Sequence, residues 1–513
     1  MNINRDVKFT VILFSIISII VSCPYKGQSK PKHYLSSSDD QIIATVGKLK
    51  ISKNEFQRGY DYGPAFYKRE KNSKEIYLRY LINEKLLALD GYNRRVDTVK
   101  QVADMVQAFH DDLITDELFN DEIKNRVTVT DSEIDTIITQ KQLELEIKWL
   151  FTPNKEEAIS YVTLMKKGVS FDSLFNKQCT DSSLINERQM KSDLYHLKMK
   201  NPVIGKIIDT IKVGNTSLPI HAQDGWYLVK LENLSHYLIT TESEKNKLRN
   251  ESIEAVKMNK MDMLSEHFVN EIMANELPVI RKDEFNILIS YIGNYLLPKE
   301  KFYNWRLAEI LDSTLSVLKI KDKEKISRLK LVDMKNSAVT LSDFLNWFWI
   351  RDQFIKLNEK DLVTYSISVK QMIWRMVRDR LLVAESNKRN IAERQTVKDQ
   401  EKWWKDKIVY SYVRNELTNA VMLENKELPE SKGDSDKKNN AEQLSAELSK
   451  KILHKINSLK QKESVKINND LLNSVKVTNE NDSRAIELYI VKKGGLIPRT
   501  PYPTIDNDWK SWQ

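Results

Sequence analysis

Leu145-Glu146-Ile147-Lys148-Trp149-Leu150-Phe151 and Gly225-Trp226-Tyr227-Leu228-Val229-Lys230-Leu231 bracket the stretch from Glu144 to Leu234, and both runs carry a strand pattern. Between them come a run with helical apolar spacing (Ala158, Tyr161, Val162, Met165), then Gly168-Val169-Ser170-Phe171 and a second short helix. A polar segment, Cys179-Thr180-Asp181-Ser182-Ser183, a third helical run from Val203 to Ile211, and Gly214-Asn215-Thr216-Ser217-Leu218-Pro219-Ile220 complete the stretch. Strand, helices and returning strands within this length predict a compact α+β unit.

The order G-x-S-F, G-x-x-S-x-P and G-aromatic-x-apolar-apolar-K-L resembles a parvulin-type peptidyl-prolyl isomerase domain, with anchors at Gly168, Phe171, Asp181, Asp193, Leu194, Gly214, Ser217, Pro219 and Gly225. The X-Pro bond rotates over a barrier of roughly 18 to 20 kcal/mol, so a catalyst needs a proline pocket with placed polar groups. The resemblance implies a histidine on the first strand and another on the last, flanking a Cys or Asp. Here those positions read Trp149 and Tyr227, and Asp181 alone keeps the polar character. The family's Gly-Gly pair is Lys191-Ser192, the next glycine is Tyr195, and the Met and Phe of the proline pocket correspond to Lys200 and Ile204. The expectation is a parvulin fold with a degraded or absent active site.

Upstream, Met1 to Ser22 has a basic start (Arg5, Lys8) and an apolar run from Phe9 to Val21, the form of an export signal. It ends Ile20-Val21-Ser22-Cys23 and resembles a bacterial lipoprotein signal, which implies that Cys23 is acylated. Two or more acyl chains give stable anchoring, so the mature chain is expected on a lipid membrane. Residues 23–40 read as a polar tether.

With 513 residues and 41% hydrophobic residues, the chain has material for several domains, and only 13 Gly and 12 Pro favour helix. Of two cysteines, Cys23 goes to lipid and Cys179 stands alone, either as a buried structural thiol or as a nucleophile beside Asp181. The net charge of +9 is spread along the chain, without the basic face that nucleic acid requires. No HExxH, P-loop or G-x-S-x-G is present, so no metal, nucleotide or other cofactor is expected. His196 and His221 lie outside the family's catalytic positions and read as surface residues.

The N-terminal part, 41–140, begins with strand, tight turn and strand (Ile42 to Ile51), followed by Ser52-Lys53-Asn54-Glu55 as N-cap and capping-box partner. A second box, Thr130 to Glu133, leads into the parvulin-like unit, 141–236. The N-terminal pattern is similar to the chaperone domain of the SurA and PrsA foldases, which implies that the helix within 237–275, with apolar residues Leu248, Ile253, Val256, Met263, Phe268 and Ile272, returns to pack on the N-terminal helices; otherwise it links two halves of the molecule. An internal repeat extends this reading. Ile51-Ser52-Lys53-Asn54-Glu55-Phe56 recurs as Val339-Thr340-Leu341-Ser342-Asp343-Phe344. Leu81 to Leu87 recurs as Met376 to Leu382, and Val96 recurs as Ile391 at the same offset. Residues 276–426 therefore read as a second chaperone-like helical module. Its aromatics (Trp347, Phe348, Trp349, Trp374, Trp403, Trp404) are either client contacts or core.

A linker, 427–445, precedes two amphipathic segments (Ala446 to Leu459 and Val465 to Val475), a strand (Ile486 to Val491) and a Pro-rich tail ending in Trp509 and Trp512. That tail either binds a partner or packs back on its own chain. The whole reads as mostly helical α+β. Two functions fit. One is a lipid-anchored periplasmic folding factor on the outer membrane, binding unfolded exported polypeptide with isomerase activity weak or lost. The other is a non-catalytic accessory lipoprotein of an outer-membrane complex. Candidate client contacts are Trp149, Ile204, Tyr227, Trp347, Trp349 and Trp374.

Overall fold

The computed structural model describes residues 41–222, 224–320, 322–352, 355–425, 434–478 and 500–512. Cys23, the leader, the tether and the strand expected at 486–491 lie outside the described residues. The chain is mostly helical α+β, with three small antiparallel sheets. It divides into two units, one formed by 41–125 with 265–512 and the other by 126–264.

The discontinuous unit is built on the internal repeat. In the first copy, the hairpin Ile42–Val46 and Leu49–Ser52 turns at Gly47, whose φ of +53° favours glycine. Ser52 then caps the helix Lys53–Asp61 by accepting from the Glu55 backbone N–H. The reciprocal half of the expected box is missing, because the Glu55 carboxylate turns inward to Lys85 at 2.5 Å. In the second copy the hairpin Lys330–Asp333 and Ala338–Thr340 leads to Thr340 and Asp343, which form a complete capping box on the helix Leu341–Arg351.

The corners of the following helical pairs match residue for residue. Ser73–Asn93 ends, a 3₁₀ turn covers Val96–Thr98, and Lys100–Glu122 begins. At an offset of 295, Leu362–Lys388 ends, a 3₁₀ turn covers Ile391–Glu393, and Gln395–Glu424 begins. Arg95 and Asn390 hold the same left-handed corner, with φ of +58° and +55°.

The copies interlock. The helix Gln395–Glu424 packs on both Ser73–Asn93 and Lys100–Glu122, and Lys100–Glu122 packs on Leu362–Lys388. One core accordingly joins Leu86, Leu87 and Leu89 with Val409, Tyr410 and Val413, and another joins Phe109, Leu113 and Ile114 with Leu382, Val397 and Trp404. The closing strands are exchanged as well. Val279–Ile280, which follows the helix Glu242–Glu276, pairs with Lys330–Asp333 of the second hairpin. Val465–Ile467, which follows the helix Asp434–Lys462, pairs with Ile42–Val46 of the first. Phe268 and Ile272, in the last turns of Glu242–Glu276, pack against the core that contains Phe109 and Trp404.

Two local expectations change, and the choice left open for the tail is decided. Helix already begins at Asp434, inside the predicted linker. Val465 to Val475 is a strand and the short helix Asn469–Ser474 in place of one continuous amphipathic segment, because Asn468 caps a new start. The tail packs back on its own chain, with Ile505, Trp509 and Trp512 buried in the first core.

The unit 126–264 carries a four-stranded antiparallel sheet in which Leu143–Thr152 lies between Gln189–Asp193 and Trp226–His236, and Ile220–His221 forms the outer edge. Strand alternation sends Leu145, Ile147, Val229 and Leu231 to one face, where they pack with Leu197, Ile204 and Ile208. Leu150 and Leu228 pack on the other face with Ala158, Phe171 and Phe175. The strand Gln189–Asp193 is missed by the sequence reading because its polar residues carry no apolar alternation.

Candidate functional site

The residues that carry the parvulin resemblance are used to shape the backbone. Gly168, Gly214 and Gly225 have φ of +93°, +85° and +152°, all in territory costly to any other residue. A Cβ on Gly225 would also stand 2.7 Å from the Thr152 carbonyl oxygen. Ser170, Asp181 and Asp193 each cap the helix that follows, and Phe171 and Leu194 are buried. Ser217 accepts from the Val229 N–H at 2.9 Å and so ties its loop to the last strand. These matches hold a fold: the glycines set its turns, and Ser170, Asp181 and Asp193 start its helices.

Trp149 and Tyr227 stand on adjacent strands, with Trp149 opposite Val229 and Phe151 opposite Tyr227. Both are half-buried and both lean on the core that contains Ile204. An indole N–H has no basic lone pair to replace an imidazole. The Tyr227 hydroxyl donates to Asp224 at 2.6 Å, and burial together with that bond pushes its pKa up to about 12. It is therefore a neutral phenol at physiological pH, its proton already directed to a carboxylate. Asp181 directs its own carboxylate to the start of its helix, accepting from the Ser183 N–H at 3.1 Å and the Ser183 hydroxyl at 3.0 Å.

Ile204 is 1% exposed and belongs to the sheet's core, which corrects its assignment as a client contact. The Asn201 cap and Pro202 at the start of its helix direct it inward. Lys200 is exposed, so it does not fill a pocket. Cys179 is a buried thiol within the apolar cluster of Phe171 and Phe175. His196 pairs with Asp193 on the surface, and His221 is exposed against Trp226. A depression of about 600 Å³ lies beside Asp135, Thr139, Leu143 and Lys198, and none of Trp149, Asp181, Ile204 or Tyr227 lines it. Among the described residues no cluster of His, Cys, Asp or Glu could hold a metal ion.

On the opposite face of the sheet, Lys148 and Lys230 are shared between Asp172 and Glu232, at distances from 2.8 to 3.8 Å. Burial raises the Glu232 pKa, but the two lysines outweigh it and hold the carboxyl below its ordinary value. The group stays ionised and structural.

In the other unit the second copy's aromatics divide by exposure. Phe348, Trp403 and Trp404 are buried. Trp347 is half-buried, and its indole N–H donates to the buried Asp379 at 2.9 Å, which fixes the ring's orientation. Trp374 is half-buried. Trp349 is half-buried and stands edge-on to Tyr295, with ring centroids 4.4 Å apart. Tyr295 is 52% exposed, and the adjacent Leu296 is also exposed. This pair went unremarked in the sequence because Tyr295 lies at the end of the helix Lys282–Leu296, more than fifty positions from Trp349.

No family model matches the chain, and no curated protein matches it. Among solved structures it is similar to PrsA from Bacillus subtilis, 18% identical over 44% of this chain and 93% of that one, with a TM-score of 0.17. It is also similar to PrsA from Bacillus cereus, 14% identical over 55% of this chain and 100% of that one, with a TM-score of 0.21. A third match is a SurA-like chaperone from Campylobacter jejuni, 14% identical over 46% of this chain and 97% of that one, again with a TM-score of 0.21. Among the described residues no helix is long and apolar enough to cross a membrane.

Proposed function

We propose that this chain is a folding factor of the cell envelope that binds unfolded exported polypeptide, and that its parvulin-like unit has kept the fold and lost the isomerase chemistry. The observation that carries this is the contrast within one unit. The glycines and caps of the pattern are retained at strained or capping positions, while the catalytic positions hold Trp149 and Tyr227. Acylated Cys23 holds the mature chain at the periplasmic face of the outer membrane. Binding is supported by the exposed Tyr295 standing edge-on to the half-buried Trp349, since aromatic rings bury large area at low entropic cost.

The test is suppression of aggregation. The mature chain at equimolar ratio is mixed with a denatured exported protein diluted into buffer, and light scattering is followed. Suppression by the native chain, reduced several-fold by Tyr295→Gln with Trp349→Gln, is the expected result. A native chain that suppresses nothing contradicts the reading and leaves the accessory role in a membrane complex.

A further inference from the structure

The segment Thr500–Trp512 lies in a socket on the first helical copy. The Pro503 carbonyl stands 2.9 Å from where a Cβ on Gly59 would be, and the Thr504 hydroxyl donates to the Gly59 carbonyl at 2.7 Å. Trp509 is fully buried and stacked on Tyr80, with centroids 5.3 Å apart. Its indole N–H and the Asp506 backbone N–H both donate to the same Glu84 oxygen, each at 2.9 Å. The Asp506 carboxylate takes Lys407 at 2.7 Å, Arg414 at 2.8 Å and the Tyr410 hydroxyl at 2.8 Å, and Asp508 pairs with Arg414. Arg58 lies over the Tyr502 ring, and Arg414 over Trp512.

The repeat shows what the socket lacks. Glu84 and Asp379 occupy one position of the two copies, and each accepts an indole N–H at 2.9 Å. In the second copy that indole is Trp347, carried on the copy's own helix. The equivalent residue of the first copy is Gly59, offset by the 288 positions that separate Ser52 from Thr340. The first copy therefore has a vacancy for an indole and fills it from a segment more than 400 residues away. The helix Gln395–Glu424 of the second copy adds Lys407 and Arg414, which meet carboxylates at one and three positions before that indole.

We propose that this socket is a peptide-recognition site, occupied in cis by the chain's own tail and able to take from a client an extended acidic segment with tryptophan in the order Asp-x-Asp-Trp. The partner chemistry follows from charge complementarity: two cations for the carboxylates, Glu84 for the indole N–H, and glycine where the peptide backbone approaches. The tethered tail competes at high effective concentration, so a client must displace it or find it released. This rests on the folding-factor reading and names one of its binding sites.

The experiment uses the full mature chain and a fluorescein-labelled peptide of residues 500–513, read by anisotropy. The native chain is compared with Trp509→Ala and with Asp506→Asn/Asp508→Asn, the second being isosteric so that the fold is kept if the first does not fold. At least a ten-fold tighter peptide affinity in either folded variant is expected, lost when the peptide itself carries Trp→Ala. Affinity no tighter in the isosteric variant than in the native chain overturns the proposal and makes the tail a permanent core element. Aggregation suppression is scored separately. A chain that holds clients without taking the peptide fails this proposal alone, and one that takes the peptide without holding clients fails the folding-factor reading alone.

Discussion

Gly91 lies against Val409 so closely that a Cβ on the glycine would stand 2.5 Å from the valine's Cγ1. The same two positions meet again with the copies exchanged. Ser386, 295 residues after Gly91, is buried and donates its hydroxyl to the carbonyl of Ile114, 295 residues before Val409. One chain thus contains both halves of an approximate two-fold, with residue i of each copy on residue j of the other, as in an isologous dimer.

This crossing makes Gly91→Ala an overpacking change. We expect it to cost about 1 to 3 kcal/mol, with Val409→Ala recovering part of that in the double variant. Ser386→Ala, which only removes a hydroxyl from a roomier crossing, should cost about 1 kcal/mol. Urea denaturation of the three variants and the double variant checks this. Additive losses for Gly91→Ala and Val409→Ala would sink the close-approach explanation.

Lys85 and Arg380 also occupy one repeat position, in opposite environments. Lys85 is buried between Glu55 at 2.5 Å and Asp406 at 2.6 Å, whereas Arg380 meets Asp343 at 3.1 Å with both side chains 41% exposed. Burial alone would lower the Lys85 pKa, but Asp406 and Glu55 more than offset it and hold the ammonium above its ordinary range. Lys85→Met should therefore cost about 3 to 5 kcal/mol, because it leaves two buried carboxyls without their cation. Arg380→Met should cost under about 1 kcal/mol. Equal shifts in melting temperature would contradict the assignment of Lys85 as the buried centre.

Acid should act on the tail's seat in two opposed steps. Burial lifts the Glu84 pKa above its ordinary 4.5, so the cost of its buried charge at neutral pH is relieved as pH falls toward 4.5. Asp506 is pushed up by burial too, but Lys407 and Arg414 outweigh that and hold it below its ordinary 3.8. Its contribution is complete above 3.8 and is lost as pH falls through its lowered folded value. The acid limb of melting temperature against pH should accordingly be shallower in Asp506→Asn. A limb of unchanged slope would show that Asp506 does not contribute to it.

Much of this was legible in the residues. The alternation of Leu145 to Phe151 and of Trp226 to Leu231 marks the paired strands of the sheet, and Thr130 and Thr340 cap helices where their boxes are written. The offset of 295 between Leu87 and Leu382 is also the offset of the whole corner that follows. What was not legible depends on distant partners. Strands of two and three residues, Val279–Ile280 and Val465–Ile467, are too short to show a period, so their exchange between copies is visible only in three dimensions. Glu55 reads as a local capping partner until Lys85 is seen beside it. Ile204 matched a pocket position by sequence, and only burial shows it to be core. The tail's choice between a partner and its own chain was fixed by Glu84, Lys407 and Arg414, none of which is near it in sequence.

We propose above that the unit 126–264 keeps a parvulin-like fold without its catalysis. Two-dimensional exchange NMR on an X-Pro peptide with the mature chain tests it most directly. No exchange above the uncatalysed rate is predicted for the native sequence. Clear acceleration that disappears in Tyr227→Phe would contradict the claim and make the Tyr227 hydroxyl, beside Asp224, part of a working site.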